Sequence, residues 1–303
     1  MNLLKGVNVA AVTPRRESGH EIDLGLTLEI VDFLCAAGVA GIGLLGTTGE
    51  FVHYDFEQRT RLAGLIVRRS RVPVVVNVTH STLDGSVRLA REAITVGAAG
   101  VLIMPPYFFR YGQDDLEAFF LEFAAEAGNG VPVYIYNLPF FTSPLECETA
   151  CRLLATGQFA GIKDSSGSVD YFRGLMEQRA RTPFVLLIGN DTLFVEGRGA
   201  GADGGVSGVA CALPELMLGL DRAIAERNQP RVELLEGRLN EFISWLDRFP
   251  VPVGIKAALA VRGLRVGPHA APTGPEGRKR LDEYSIWLKE WIPQVLRESK
   301  HTK

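Results

Sequence analysis

A lysine stands at the point where an apolar run of the sequence ends. The stretch FAGIKDSSG, residues 159–167, places Lys163 after apolar residues and before a polar turn that ends in glycine. Lysine is depleted in strand interiors and is almost never fully buried without a partner. The residue is therefore either an ordinary charge at a strand end, which is the more frequent case, or an amine placed to react.

An amine held among apolar strands can act as a nucleophile. Burial disfavours the charged form, and a neutral amine attacks a ketone to form a Schiff base, which then serves as an electron sink. This chemistry needs proton relays, which tyrosine and threonine hydroxyls can provide. An α-keto acid also needs an anion site, and backbone amides of a glycine-rich loop that opens a helix can supply one.

Groups of these kinds follow other apolar runs of the chain. Gly46-Thr47-Thr48-Gly49 follows the second predicted strand, Tyr136 ends the fifth and Gly189 follows the seventh. Each feature alone is more often a turn or a packing residue. Their occurrence together at strand ends favours the hypothesis that Lys163 is a reactive amine.

The elements that must position these residues alternate regularly. Short apolar runs predict strands at residues 7–12, 41–45, 74–78, 100–104, 133–136, 161–163, 184–188 and 204–207. Longer segments with apolar residues at three- and four-residue spacing predict helices between them. Plausible N-caps of these helices are Asp23, Asp55, Asp84, Asp114 and Ser168. Nearly continuous apolar strands are typical of a parallel sheet covered on both faces.

This alternation predicts an α/β fold, a (β/α)8 TIM barrel over residues 1–210 that contains the active site. Residues 211–303 read as helices, at 213–227, 231–248, 253–262 and 275–298, which form a C-terminal helical subdomain packed on the barrel. A doubly wound open sheet is the alternative. It is disfavoured because no G-x-G-x-x-G follows the first strand and no Walker A motif occurs.

Composition excludes several functions. The 303-residue chain has a formal net charge of −3 and no long basic stripe, which disfavours nucleic acid and membrane surfaces as partners. The N-terminus lacks an apolar signal region, and the four cysteines show no CxxC spacing. We therefore expect a cytoplasmic protein with free thiols. The five histidines show no metal-ligand spacing, and we expect no metal site.

Three motifs together resemble the dihydrodipicolinate synthase / N-acetylneuraminate lyase family. They are GTTGE at 46–50, YNLP at 136–139 and GIKDSSG at 161–167, in this order and at these intervals. The resemblance extends from residue 6 to the C-terminal helices. It implies a class I, Schiff-base lyase that handles pyruvate, with no cofactor beyond the covalent imine, and a homotetramer built as a dimer of dimers.

The resemblance also implies residue roles. Lys163 would form the imine, Tyr136 would act as the acid and base beside it, and Thr47 would connect Tyr136 to a proton relay. Residues implied to hold the carboxylate or line the pocket are Thr48 and the loop amides from Gly46 onward, Gly189 and Val206.

Two positions depart from the family pattern. Members that make dihydrodipicolinate carry an arginine two residues after YNxP, and this chain has Phe141 there. A phenyl ring removes a charge-assisted contact and leaves an apolar wall. The family's tyrosine pair after strand 4 reads Tyr107-Phe108 here, so either Tyr107 substitutes through a shifted loop or the relay uses water. Arg110 and His80 are further candidates for polar contacts.

We therefore expect aldol cleavage or formation of a 2-keto-3-deoxy or 4-hydroxy-2-oxo acid from pyruvate and an aldehyde. Alternatives on the same imine are dehydration of such an acid, and the dihydrodipicolinate condensation of pyruvate with aspartate semialdehyde. Sialic acid ranks below the 2-keto-3-deoxy sugar acids. The alternative outside enzymes is a catalytically inactive, keto-acid-binding paralogue.

Overall fold

Eight parallel strands close into a barrel in which each strand pairs with the next and the last pairs with the first. The computed structural model describes residues 4–17, 21–128 and 130–300. The strands are β1 Gly6–Ala10, β2 Gly41–Leu44, β3 Val74–Asn77, β4 Gly100–Ile103, β5 Val133–Asn137, β6 Gly161–Asp164, β7 Val185–Ile188 and β8 Gly204–Ser207. The predicted (β/α)8 fold is confirmed.

Almost every strand residue is buried, as the continuous apolar runs predict. The strand bounds differ from the predicted ones by a residue or two. The first strand ends at Ala10 rather than at residue 12, although the Ala11 amide still donates to the Gly43 carbonyl at 3.0 Å. Such differences at element ends are ordinary, because ladder hydrogen bonds fade gradually.

Helices cover the outside of the barrel. They are α1 Leu24–Ala37, α2 Phe56–Arg69, α3 Leu83–Thr95, α4 Gln113–Ala127, α5 Cys147–Ala155, α6 Val169–Arg179 and α7 Phe194–Gly199. Two 3-10 turns, Phe51–His53 and Asp191–Leu193, follow the β2 and β7 strand ends.

The side chains of three predicted N-caps accept hydrogen bonds at helix starts. They are Asp23 from Leu26 N at 2.9 Å, Asp55 from Gln58 N at 2.8 Å and Ser168 from Tyr171 N at 3.2 Å. These caps satisfy amides that have no partner within the helix.

Two other predicted N-caps are wrong. Thr82, not Asp84, caps α3, and α4 begins at Gln113 after Gly112, so Asp114 lies inside its first turn. Both aspartates still lie in a first turn, where a negative charge favours the helix dipole. The aspartates therefore indicated both helices correctly, but the predicted cap lies two residues too late in the chain.

The chain continues after β8 as helices α8 Val209–Ala212, α9 Pro214–Ala225, α10 Gln229–Leu246, α11 Val253–Val261 and α12 Pro275–Glu298. Aromatic side chains pack α10 against α12, with Phe242 stacked on Trp291 at 5.6 Å and Trp245 on Tyr284 at 5.2 Å between ring centroids. Helices α8 and α9 pack against β1, so these helices share the barrel's core. The division at residue 210 falls inside α8 and stays a prediction.

None of the helices in the described ranges has the length and apolar character that a membrane crossing needs.

Candidate active site

Lys163 and Tyr136 are direct partners in the register of β6 and β5. Both side chains are buried, at 4% and 2% exposure. The Lys163 Nζ atom lies 3.8 Å from the centroid of the Tyr136 ring. Within the described part of the chain no carboxylate forms an ion pair with Lys163. The structure therefore presents a buried amine whose close neighbour is a phenol rather than an acid.

The Tyr136 hydroxyl lies 3.3 Å from the Thr47 hydroxyl, and either group can donate the hydrogen bond. Burial by itself raises the pKa of Tyr136. The positive charge of Lys163 and the hydrogen bond with Thr47 outweigh burial and hold that pKa below its ordinary value. A phenol with a lowered pKa exchanges protons with a neighbouring group more readily near neutral pH.

The loop after β2 brings Thr47 and Thr48 to the mouth of the barrel. Thr48 is buried and lines the same cavity as Lys163, together with Thr47. Gly46 is buried as well, but it is not among the residues that line this cavity. The loop thus brings two of its three predicted site residues to the lysine.

Gly189 and Val206 also line the cavity, at the ends of β7 and β8. A Cβ atom on Gly189 would stand 2.1 Å from Ser165 Oγ and 2.8 Å from Lys163 Cε. Cβ atoms do not approach other heavy atoms this closely, so a side chain at position 189 would displace Ser165 and the end of the lysine stem. Lys163 can therefore take its observed position because residue 189 is a glycine.

The cavity around Lys163 has a volume of about 630 Å³. Its polar wall, from the loops after β6 and β7, consists of Ser165, Asn190, Asp191 and Thr192. The Ser165 hydroxyl is buried and forms no hydrogen bond of ordinary geometry among the described residues, although it lies close enough to Tyr136 to help lower the pKa of that phenol. A free hydroxyl at this place is available to a bound molecule, because burial without a partner is unfavourable.

Asp191 is a polar group of the cavity that sequence reasoning did not select. Burial raises the pKa of its carboxyl, while a hydrogen bond from Ser207, the amide of Val209 and the charge of Lys163 oppose that rise. The signal was present, since Asn190 and Asp191 directly follow an apolar strand. Without a known partner at another strand end, their position alone was not decisive.

The C-terminal helices supply the apolar wall. Ile243 and Leu246 of α10 and Ile255 of α11 line the cavity of Lys163. Spacing within those helices indicated only that they pack against something. It carried no information on which side chains would reach a lysine that lies 80 or more residues earlier in the chain, as positions 163 and 243 show.

A second cavity of about 490 Å³ adjoins the first and shares Thr47, Leu138, Phe141 and Val251 with it. Tyr107 lies in this second cavity, edge-to-face with Phe51 at 5.5 Å between centroids. The structure therefore places Tyr107 beside the Lys163 cavity rather than among the residues that line it.

Phe140 and Phe141 lie at the rim, with 67% and 60% of their surface exposed. Thr142 is buried behind them and lines only the second cavity. The position where the resemblance implies an arginine thus carries a phenyl ring at the entrance.

Arg110 and His80 lie apart from both cavities. The Arg110 guanidinium donates to the Thr142 carbonyl. The His80 ring lies 3.1 Å from the Thr82 hydroxyl and packs against Gly85. Neither side chain lines the cavity of Lys163, and their contact with a substrate stays a prediction. In the described ranges, histidine, cysteine, aspartate and glutamate side chains form no group of three or more suited to a metal ion.

Comparison with known proteins gives one family. Residues 3–290 match the model of the dihydrodipicolinate synthetase family. A 4-hydroxy-tetrahydrodipicolinate synthase of Methanothrix thermoacetophila is 29% identical, over 90% of this chain and 92% of its own length. A probable 2-dehydro-3-deoxy-D-pentonate aldolase of Escherichia coli is 32% identical, over 80% of this chain and 83% of its own. The solved 4-hydroxy-tetrahydrodipicolinate synthase of Methylacidiphilum fumariolicum superposes with a TM-score of 0.86 at 27% identity, over 97% of this chain and 99% of its own.

Proposed function

The chain belongs to the dihydrodipicolinate synthetase family and is a lyase of the aldolase type, and on that premise we propose that Lys163 forms an imine with the keto carbon of pyruvate or of a pyruvate-derived acid. The observation that carries this proposal is the position of the Lys163 amine. It is buried, has no carboxylate partner among the described residues, and lies 3.8 Å from the Tyr136 ring. No further cofactor is required for the chemistry.

In the cleavage direction the amine adds to the keto carbon of a 4-hydroxy-2-oxo acid, and loss of water gives the iminium. A base takes the proton of the 4-hydroxyl, the bond between carbons 3 and 4 breaks, and its electron pair enters the imine system as an enamine. The aldehyde leaves, carbon 3 gains a proton, and water releases pyruvate and the free amine. Tyr136 is the group proposed to give and take these protons, with Thr47 as its relay.

The α-carboxylate is proposed to bind at the loop after β2. The Thr48 hydroxyl lines the cavity close to Lys163, and the backbone amides of the loop from Gly46 onward can donate to an anion. Gly189 and Val206 then form the surface against which the pyruvate unit lies. The lack of room for a Cβ atom between Gly189 and the lysine stem supports a close fit for a small keto acid.

The proposed substrate is a 2-keto-3-deoxy acid with a hydroxylated chain. The polar wall beside Lys163 supports this choice, because Ser165 offers an unpaired buried hydroxyl and Asp191 and Thr192 offer further oxygen atoms. The name of the Escherichia coli relative points to the same class. Condensation with aspartate semialdehyde is less well supported, since Phe141 offers no charge to a second carboxylate. Dehydration of the same acids remains a competing outcome.

Reductive trapping tests the imine. Pyruvate and borohydride are added to the wild-type protein, and the mass gain is mapped by peptide analysis. We expect one adduct, on Lys163. Lys256, which is equally buried but ion-paired, serves as the internal control. A protein that gains no mass at Lys163 would sink the imine mechanism.

A substrate panel then separates the related reactions. Purified protein is offered 2-keto-3-deoxy acids of increasing chain length, and both pyruvate release and water loss are followed. We expect pyruvate release. Loss of water without pyruvate would identify a dehydratase, turnover of aspartate semialdehyde with pyruvate would identify the condensation, and an adduct without any turnover would identify a binding protein.

The assembly proposed is a homotetramer. Phe108 and Phe109 support it, because they pack edge-to-face at 5.1 Å while 86% and 64% of their surfaces remain exposed. Exposed aromatic clusters commonly mark contacts between chains. Light scattering of the full chain would test this, and a monomer would contradict it. We also propose a cytosolic location, supported by four free cysteines.

A further inference from the structure

The loop that carries Thr47 and Thr48 has an unusual backbone. Leu45 and Glu50, at its two ends, have φ angles of 57° and 54°, which side-chain-bearing residues rarely adopt. Between them the Glu50 amide donates to the Thr47 carbonyl at 3.0 Å and closes a tight turn. Strained backbone of this kind persists only where surrounding contacts hold it in place.

Three contacts hold the loop from different sides. The Asn77 side chain donates to the Leu45 carbonyl at 2.8 Å, and the Thr13 hydroxyl donates to the Gly49 carbonyl at 2.9 Å. The third contact is an ion pair in which the Lys256 ammonium donates to the Glu50 carboxylate. The first two partners lie on the barrel, whereas Lys256 lies on α11, 206 residues after Glu50.

The Glu50–Lys256 pair is deeply buried. Lys256 is 0% exposed and Glu50 is 6% exposed. Burial lowers the pKa of Lys256, the nearby Glu50 charge opposes this, and Arg15 adds a smaller lowering. Among the described side chains, Glu50 is the one polar group within hydrogen-bond distance of the Lys256 amine. The preceding residue, Ile255, lines the cavity of Lys163.

We infer that Lys256 is a positioning residue: it fixes Glu50, and through Glu50 it fixes Thr47 and Thr48 relative to Tyr136 and Lys163. The inference rests on the proposed function for what these threonines bind. Lys256 itself touches none of the groups proposed to react. Without the ion pair, the turn from Thr47 to Glu50 would lose its contact with α11 and could relax its strained end.

The test compares the variants Lys256→Met and Glu50→Met/Lys256→Met with the wild type. The double variant removes both charges and avoids leaving the Glu50 carboxylate buried without its lysine, with the His53 ring at 3.6 Å as its remaining partner, which keeps a folded protein available. We expect both variants to need at least about tenfold more pyruvate for half-maximal borohydride trapping, since small displacements of binding groups cost this much or more. Displacement of Thr47 should also disturb the proposed proton relay to Tyr136, so both variants should turn over more slowly at saturating substrate.

Arg262→Met is the matched control. Arg262 follows α11 and forms an ion pair with Glu215 at 2.6 Å, away from the loop. This variant loses an ion pair next to the same helix, so it should be less stable but should keep the wild-type pyruvate dependence. A folded double variant with wild-type half-saturation would overturn the inference.

Amide hydrogen exchange over residues 45–53 gives a second readout that needs no pyruvate. Exchange should accelerate in both Lys256 variants and stay unchanged in Arg262→Met. Equal exchange in the wild type and the folded double variant would overturn the inference even if trapping fails throughout. A wild type that forms no adduct, combined with accelerated loop exchange, would reject the proposed function and leave the positioning of the loop supported.

Discussion

Two lysines are buried in the described part of the chain, and their surroundings differ. Lys256 is bound to the Glu50 carboxylate, whereas Lys163 lies over the ring of Tyr136 and has no described carboxylate within ion-pair distance. A buried charge is ordinarily paired. Lys256 therefore follows the rule of structural lysines, and Lys163 departs from it at the end of β6. The missing ionic partner, rather than burial itself, is what sets the proposed nucleophile apart from the ion-paired lysine.

The largest expected effect is on catalysis, and it concerns Lys163 alone. Lys163→Ala should abolish turnover and the pyruvate adduct, because the substitution removes the proposed nucleophile. Peptide mapping after borohydride trapping measures this directly. The comparison would break if the Lys163→Ala protein retained an adduct on Lys256, since the ion-paired amine would then also be reactive.

The neighbour of Lys163 should matter next. Tyr136→Phe keeps the ring under the amine but removes the hydroxyl that lies 3.3 Å from Thr47. Turnover should fall by about 10²–10⁴-fold, the usual scale for a lost general acid or base. The measurement is kcat on the cleaved acid. An unchanged kcat would remove Tyr136 from the mechanism.

The free energy of unfolding should also distinguish the two lysines, but here the larger loss is expected for Lys256. Lys256→Met leaves the buried Glu50 carboxylate with the His53 ring, 3.6 Å away, as its remaining ionic partner, so the unfolding free energy should fall, by up to about 3–5 kcal/mol. Lys163→Met removes a buried amine that has no ionic partner, so the unfolding free energy should stay equal or rise. Urea denaturation of both variants measures the difference. Equal destabilisation would show that Lys163 also has a structural role.

Ionisation of Tyr136 offers a smaller and more local test. The charge of Lys163 helps to hold the pKa of Tyr136 below its ordinary value, against the effect of burial. In Lys163→Met the lowering charge is gone while burial remains, so the pKa of Tyr136 should rise. Phenolate absorbance is followed against pH in the wild type and in Lys163→Met, with Tyr136→Phe as the reference that lacks this phenol. One tyrosine should ionise at lower pH in the wild type than in Lys163→Met. Identical titration curves would contradict the coupling.

Phe141→Arg should have the smallest effect on the fold, because the ring is largely exposed. Exposed substitutions usually change stability by less than about 0.5 kcal/mol. The new guanidinium should improve turnover with an acidic aldehyde relative to a neutral one, and the ratio of the two kcat/KM values measures it. A ratio that does not move would show that position 141 does not contact the second substrate.

Local pattern was sufficient to predict the barrel. The strands are apolar throughout, so their order and number are visible without any partner, and β5 and β6 had to be neighbours. The proximity of Tyr136 to Lys163 follows from that order, and the register places them directly opposite each other.

Contacts between distant parts of the chain were not visible in the same way. Nothing in the spacing of α11 indicates that Lys256 reaches Glu50 or that Ile255 reaches the cavity, since helical periodicity identifies a buried face but not its partner. His80 shows the reverse case. It follows a strand end, yet a nearer hydroxyl, that of Thr82, holds its ring.

The adjacency of Ile255 and Lys256 has a consequence for recombining this enzyme with its relatives. One helix turn contributes both a wall of the cavity and the anchor of the threonine loop. A chimera with its crossover after β8 would join a loop from one parent to an anchor from another. Such hybrids should keep the barrel and lose catalytic efficiency unless positions 50 and 256 come from the same parent. The two positions should therefore be inherited as a unit, although almost the whole catalytic barrel separates them in the chain.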